Sequence, residues 1–101
     1  MNKSITHLDS IFTSLKNKQG MDAEYYVDEL NEDFKREPEA TQLETMTAII
    51  QRINPASSNA LYAFKGFFAQ HQSLVPKLRY TDFVKFTDMF TGGIAFVPKN
   101  L

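Results

Sequence analysis

The sequence predicts an all-α protein: a compact antiparallel bundle of about five helices, closed by an extended apolar strap at the C-terminal end. Three observations carry that expectation. Apolar residues recur at one-face helical spacing in five successive segments, capping and stop residues fall between those segments, and the loops between them are short enough to make sequential helices antiparallel neighbours.

In the first segment Ile5, Leu8, Ile11, Phe12 and Leu15 line one face. Ser4 can cap its start, Lys16 and Lys18 suit the negative end of its dipole, and Gly20 can supply a left-handed stop. Asp22 then reads as the N-cap of a second helix, with Met21 and Tyr26 placed as a hydrophobic staple. Ala23, Tyr26, Val27, Leu30 and Phe34 fall within an arc of about 100° on its wheel. Lys35 and Arg36 complement its end, and Pro38 closes it.

Pro38 also suits the first position of a third helix, because its missing N–H has no partner to lose there. Thr41 and Glu44 offer an alternative start as a capping box. Leu43, Met46, Ile49, Ile50 and Ile53 form the buried face, and Asn54–Pro55 ends the element. Ser57 or Ser58 opens a fourth helix with Ala60, Leu61, Phe64, Phe67 and Phe68 inward, fading near His71–Ser73. A short helical turn is expected around Pro76. Thr81 caps a last helix carrying Phe83, Phe86, Met89 and Phe90, which Gly92–Gly93 stops. The tail Ile94–Val97 is too apolar to remain solvated and is expected to dock as the strap.

The length of 101 residues makes one domain, 1–101, able to bury roughly 60–70% of its unfolded-state surface. With nine Phe, four Tyr and no Trp, aromatic rings dominate the expected core. The absence of Cys removes disulfide and thiolate chemistry and fits a reducing cytoplasm. No apolar run approaches the ~20 residues that span a bilayer, and the first twenty residues lack the apolar stretch of a signal peptide, so the expected location is cytoplasmic.

Several chemistries lack their residues. Two His and no Cys cannot make a zinc site of the usual kind. No phosphate-cradling glycine loop, Gly-x-Ser-x-Gly elbow, EF-hand loop or Glu-x-x-His pair occurs, so neither a metal nor a cofactor is expected and enzyme is the less favoured class. The i,i+4 pairs Asp28/Glu32 and Glu29/Asp33 could hold a divalent cation, but a solvated acidic face is the simpler reading. His7 reads as plain surface beside Ser10 and Ser14. His71 lies on the apolar face of the fourth helix, where a satisfied core or helix-end histidine is favoured over a phosphoryl-accepting one.

The charge distribution is the informative feature. A formal net charge of −1 conceals a segment, Asp22 to Glu44, with nine acids and two bases, against nine bases and three acids in the remainder. On the second helix Glu24, Asp28, Glu32, Glu29, Asp22 and Asp33 fill the arc opposite the apolar face, with Tyr25 in its middle. An exposed tyrosine ringed by carboxylates resembles the aromatic anchor and charged rim of a binding hot spot. The expected function is therefore a small non-catalytic interaction protein that binds and neutralises a basic partner through Tyr25, Glu24, Asp28, Glu29, Glu32 and Asp33. Its most concrete form is a bacterial immunity protein against a cognate nuclease toxin, such as those of contact-dependent growth inhibition, since spaced carboxylates imitate phosphates. The alternatives are nucleic-acid binding through Lys65, Lys77, Arg79, Lys85 and Lys99, and histidine phosphotransfer at His71. The scattered bases and a pI near 6.1 weigh against the first. The same polarisation permits self-association, and the oligomeric state is not set by it.

Overall fold

The computed structural model describes residues 3–17, 20–54 and 57–90, and every regular element among them is helical. In chain order these are α1 (Lys3–Thr6), α2 (Leu8–Lys16), α3 (Gly20–Phe34), α4 (Glu39–Arg52), α5 (Ser58–Gln70), a 3₁₀ helix (Gln72–Lys77) and α6 (Tyr80–Phe90). The predicted stop at Gly92–Gly93 and the strap Ile94–Val97 lie outside the described residues.

The first predicted helix is present in two pieces. The break falls at His7, whose backbone stays in the right-handed helical region (φ −78°, ψ −17°), so the apolar stripe of Ile5, Leu8, Ile11 and Leu15 continues across it. Gly20 is not the stop. α2 ends at Lys16, where the Asn17 N–H bonds the Thr13 carbonyl at 3.0 Å, and Gly20 instead begins α3. Asp22 accordingly lies in the first turn of α3 rather than at its cap. A carboxylate favours either position through the same dipole interaction, so the acid marks the helix start only to within a turn.

Pro38 takes the N-cap of α4, extended at φ −64° and ψ 157°, one position ahead of the expected one. Glu39 then occupies the first turn. The preceding turn is closed from both sides: Lys35 N–H bonds the Asn31 carbonyl at 3.0 Å, and the Gln42 side chain donates to the Phe34 carbonyl at 2.9 Å. This ties the end of α3 to the start of α4 at a carbonyl that also accepts from the Glu37 N–H at 3.1 Å.

Ser57 caps α5 as its spacing implied, accepting from the Ala60 N–H at 3.3 Å. His71 is the C-cap, its N–H shared between the carbonyls of Phe67 and Phe68 at 3.2 Å each. The expected turn around Pro76 is the 3₁₀ helix. Thr81 does not cap α6, because the helix already includes Tyr80. Arg79 instead opens it, accepting from the Phe83 N–H at 2.9 Å, and pairs with the buried Asp82 in the first turn.

The predicted apolar faces pack on the core, with Ile5, Phe12, Leu15, Tyr26, Leu43, Leu61, Phe83 and Met89 only partly buried at its margin. Val27, Leu30 and Phe34 of α3 meet Leu8 and Ile11 of α2, Met46, Ile49 and Ile50 of α4, and Phe64, Phe67 and Phe68 of α5 in one core. An aromatic chain runs through it: Phe34 to Phe67 at 4.9 Å, Phe67 to Phe68 at 5.5 Å, Phe68 to Phe86 at 4.9 Å and Phe86 to Phe90 at 4.9 Å between centroids. These tilted and edge-on contacts suit the ring quadrupoles. α3 packs against α1, α2 and α5, while α4 packs against α6. The acidic helix thus packs against the N-terminal helical segment and α5, and leaves Glu24, Tyr25, Asp28 and Glu32 exposed.

Candidate functional site: the outer face of α3 and the groove beside α5

Burial of Ala23, Val27, Leu30 and Phe34 fixes the rotation of α3 about its axis. Glu24, Tyr25, Asp28 and Glu32 are consequently exposed, and Tyr25 keeps 61% of its surface in solvent. Its ring stands edge-on to Tyr26 at 5.6 Å. Glu29 is half-buried. Lys35 approaches Glu32 at 3.8 Å. Both groups are well exposed, so the pair contributes at most a few tenths of a kcal/mol, about the size of a surface i,i+3 pair. Glu24 and Asp28 have no cationic partner among the described residues.

Asp33 departs from the predicted arrangement. It lies at a helix–helix contact, where its Oδ2 accepts from His7 Nε2 at 2.7 Å with both side chains largely covered. His7 is therefore not plain surface, and Ser14, read with it as exposed, is buried. The wheel's assignment of Asp33 to the arc opposite the core does not hold: at about 3.6 residues per turn it falls about 20° from Tyr26, on the flank of the apolar face. What the wheel could not contain is the N-terminal segment lying against that side of α3.

A second feature adjoins the acidic face. A groove of about 230 Å³ runs between α3 and α5, lined by Glu24, Val27, Asp28 and Asn31 on one side and Tyr62, Ala63, Gly66, Phe67 and Gln70 on the other. Asn31 is buried and closes one part of it. Its Nδ2 donates to Gln70 Oε1 at 3.0 Å, and its Oδ1 accepts from His71 Nε2 at 2.6 Å. With the amide oriented this way, the imidazole donates from Nε2. The ring packs against Phe34 at 4.5 Å and Phe67 at 5.0 Å. Burial, and secondarily the Lys35 charge, hold the His71 pKa below its ordinary value.

Glu24 and Asp28 of the α3 wall belong to the face predicted from sequence, whereas Asn31 and the α5 wall were not singled out, although two signals were present. Asn31 follows Val27 by one helical turn and so falls on the flank of the apolar face. Gly66 interrupts an otherwise strong helical pattern between Phe64 and Phe67.

The cations considered for nucleic-acid binding are mostly engaged within the chain. Lys77 Nζ bonds Glu39 Oε2 at 2.9 Å, Arg79 Nε bonds Asp82 Oδ2 at 3.1 Å, Lys85 Nζ donates to the Gln51 carbonyl at 3.3 Å, and Lys65 lies over the Tyr62 ring at 5.9 Å. Lys99 is outside the described residues. Among the described residues no three His, Cys, Asp or Glu side chains converge on a metal position, and no helix is long and apolar enough to cross a membrane.

Compared with protein-family models, with curated proteins and with solved structures, the chain shows no significant match.

Proposed function

We propose that this protein is a small non-catalytic interaction module that binds and neutralises a basic protein partner through the outer face of α3. The observation that carries this reading is the exposed Tyr25 flanked by Glu24 and Asp28, two carboxylates without a cationic partner among the described residues. Carboxylates at i,i+4 repel by a few tenths of a kcal/mol per pair, so the face is mildly unfavourable to the isolated helix. A cationic partner would reverse that sign and speed encounter. Tyrosine supplies contact area with little rotamer freedom to lose.

The most concrete form is a bacterial immunity protein acting in the cytoplasm on a nuclease toxin, such as those of contact-dependent growth inhibition, whose basic substrate cleft an acidic face would fill. On the same reading the helices form an antiparallel bundle, with Ile94–Val97 as the strap that covers it. Glu24, Tyr25, Asp28, Glu29 and Glu32 form the contact. Asp33, placed with them by the wheel, acts through its bond to His7 by holding α3 in position.

Pull-down from the native host followed by affinity measurement on the Asp28→Lys, Glu29→Lys, Glu32→Lys set tests the assignment. The triple reversal should weaken partner affinity by at least about tenfold, on the order of 1.4 kcal/mol. Unchanged affinity removes the outer face of α3 as the docking surface.

A further inference from the structure

Gly66 sits within α5, exposed, and a Cβ built there would meet nothing within 4 Å. Packing therefore does not require glycine at this position, and neither does backbone conformation, since the residue is helical. Glycine is nonetheless among the poorest helix formers. The missing side chain has one visible structural effect: it keeps open the wall of the groove between α3 and α5.

The groove combines two kinds of lining. Val27, Ala63 and Phe67 contribute apolar surface, and the carboxylates of Glu24 and Asp28 stand on its α3 side, one helical turn apart. Tyr62, 72% exposed, stands on the α5 side. Its ring already has a cation above it, the Lys65 ammonium at 5.9 Å, a long and exposed contact that an incoming group can displace. A mostly polar groove with a narrow apolar strip from Val27, Ala63 and Phe67, and with carboxylates and an aromatic ring along its sides, suits a side chain with an aliphatic stem and a planar cationic head. Arginine has both features. Its guanidinium forks onto carboxylates and stacks on aromatic faces, whereas the lysine ammonium is a compact, strongly hydrated point charge.

We infer that the groove between α3 and α5 is a docking slot for one arginine side chain of the basic partner, its stem passing Gly66 and its guanidinium meeting Glu24 and Asp28 beside Tyr62. This inference rests on the docking reading of α3 and adds a defined anchor to it. Glu24 and Asp28 serve both the outer face and the slot, while Glu29 and Glu32 are not part of the slot.

The test uses N-acetyl-arginine methylamide and its lysine counterpart as probes of the full chain, followed by amide chemical shifts at about 0.15 M salt, where long-range attraction is screened. Arginine should produce saturating shifts in residues 24–31 and 62–70, with lysine binding at least about fivefold more weakly. Gly66→Leu, which introduces a good helix former and fills the slot, should remain folded and lose the response. Glu29→Lys with Glu32→Lys should retain it. Absence of saturating shifts in α5, an unchanged response in folded Gly66→Leu, or equal responses to arginine and lysine would each overturn the slot. The outer-face reading stands or falls separately, on the affinity of the charge-reversal set for the partner protein.

Discussion

His7 and Asp33, 26 residues apart in sequence, are joined by a 2.7 Å hydrogen bond from imidazole Nε2 to carboxylate Oδ2. The bond links the break between α1 and α2 to the last turn of α3, and so fixes how the N-terminal segment lies against the acidic helix.

Removing either partner should destabilise the fold more than removing a neighbouring acid. Asp33→Ala and His7→Ala are each expected to cost about 1–2 kcal/mol, in line with a partly covered, charge-assisted hydrogen bond. Glu32→Ala, at an exposed side chain, should stay within about 0.5 kcal/mol of wild type. Urea unfolding of the singles and of the double variant measures the coupling, and additive effects of His7→Ala and Asp33→Ala would show that the bond does not contribute.

The Asn31–His71 contact predicts a pH dependence. His71 is held below its ordinary pKa of 6.5 by burial and by Lys35. The unfolded chain therefore binds a proton at His71 more readily than the folded one, and stability rises with pH across that interval. The contribution is fully present above the ordinary value and declines as pH falls from 6.5 toward the depressed folded value. The urea midpoint should fall between neutral and mildly acidic pH, and His71→Gln should flatten the fall. An identical pH profile in wild type and His71→Gln would exclude His71 as its source.

Gly66→Ala should raise stability by up to about 1 kcal/mol, the difference in helix propensity at an interior site. With no atom within 4 Å of the new Cβ, nothing in the fold opposes the gain. For a domain of this size that is a rise in Tm of about 4–8 °C, readable by thermal denaturation followed by circular dichroism. A lower Tm would mean that the helix needs glycine for a reason other than space.

The five predicted apolar faces were legible because helical spacing is local: Val27, Leu30 and Phe34 find their common side whatever they pack against. Ser57 was legible for the same reason, since a serine cap bonds a backbone N–H only three residues away. The starts of α3 and α6 were less well determined. Asp22 and Asp82 favour several positions in a first turn about equally, and the choice among them depends on tertiary contacts such as the burial of Asp82 beside Arg79.

The site divides along the same line. Exposure of Glu24, Tyr25, Asp28 and Glu32 follows from the rotation of one helix, which its own apolar residues determine. The engagement of Asp33 by His7 and of Asn31 by Gln70 and His71 depends on which segments lie beside α3. A wheel drawn for one helix contains its faces and not its neighbours. The groove is a property of two helices together, so neither wall alone displays it.

The placement of the tyrosines has an optical consequence. The chain has no Trp, and three of its four Tyr, residues 25, 62 and 80, are exposed by 61%, 72% and 80%. These three side chains are already largely exposed to solvent in the native state, and Tyr26 alone is half-buried. Two of the three, Tyr25 and Tyr62, stand on the proposed docking face and beside the proposed slot. Covering Tyr25 or Tyr62 would replace the water around a phenol, a change that tyrosine emission can be used to follow.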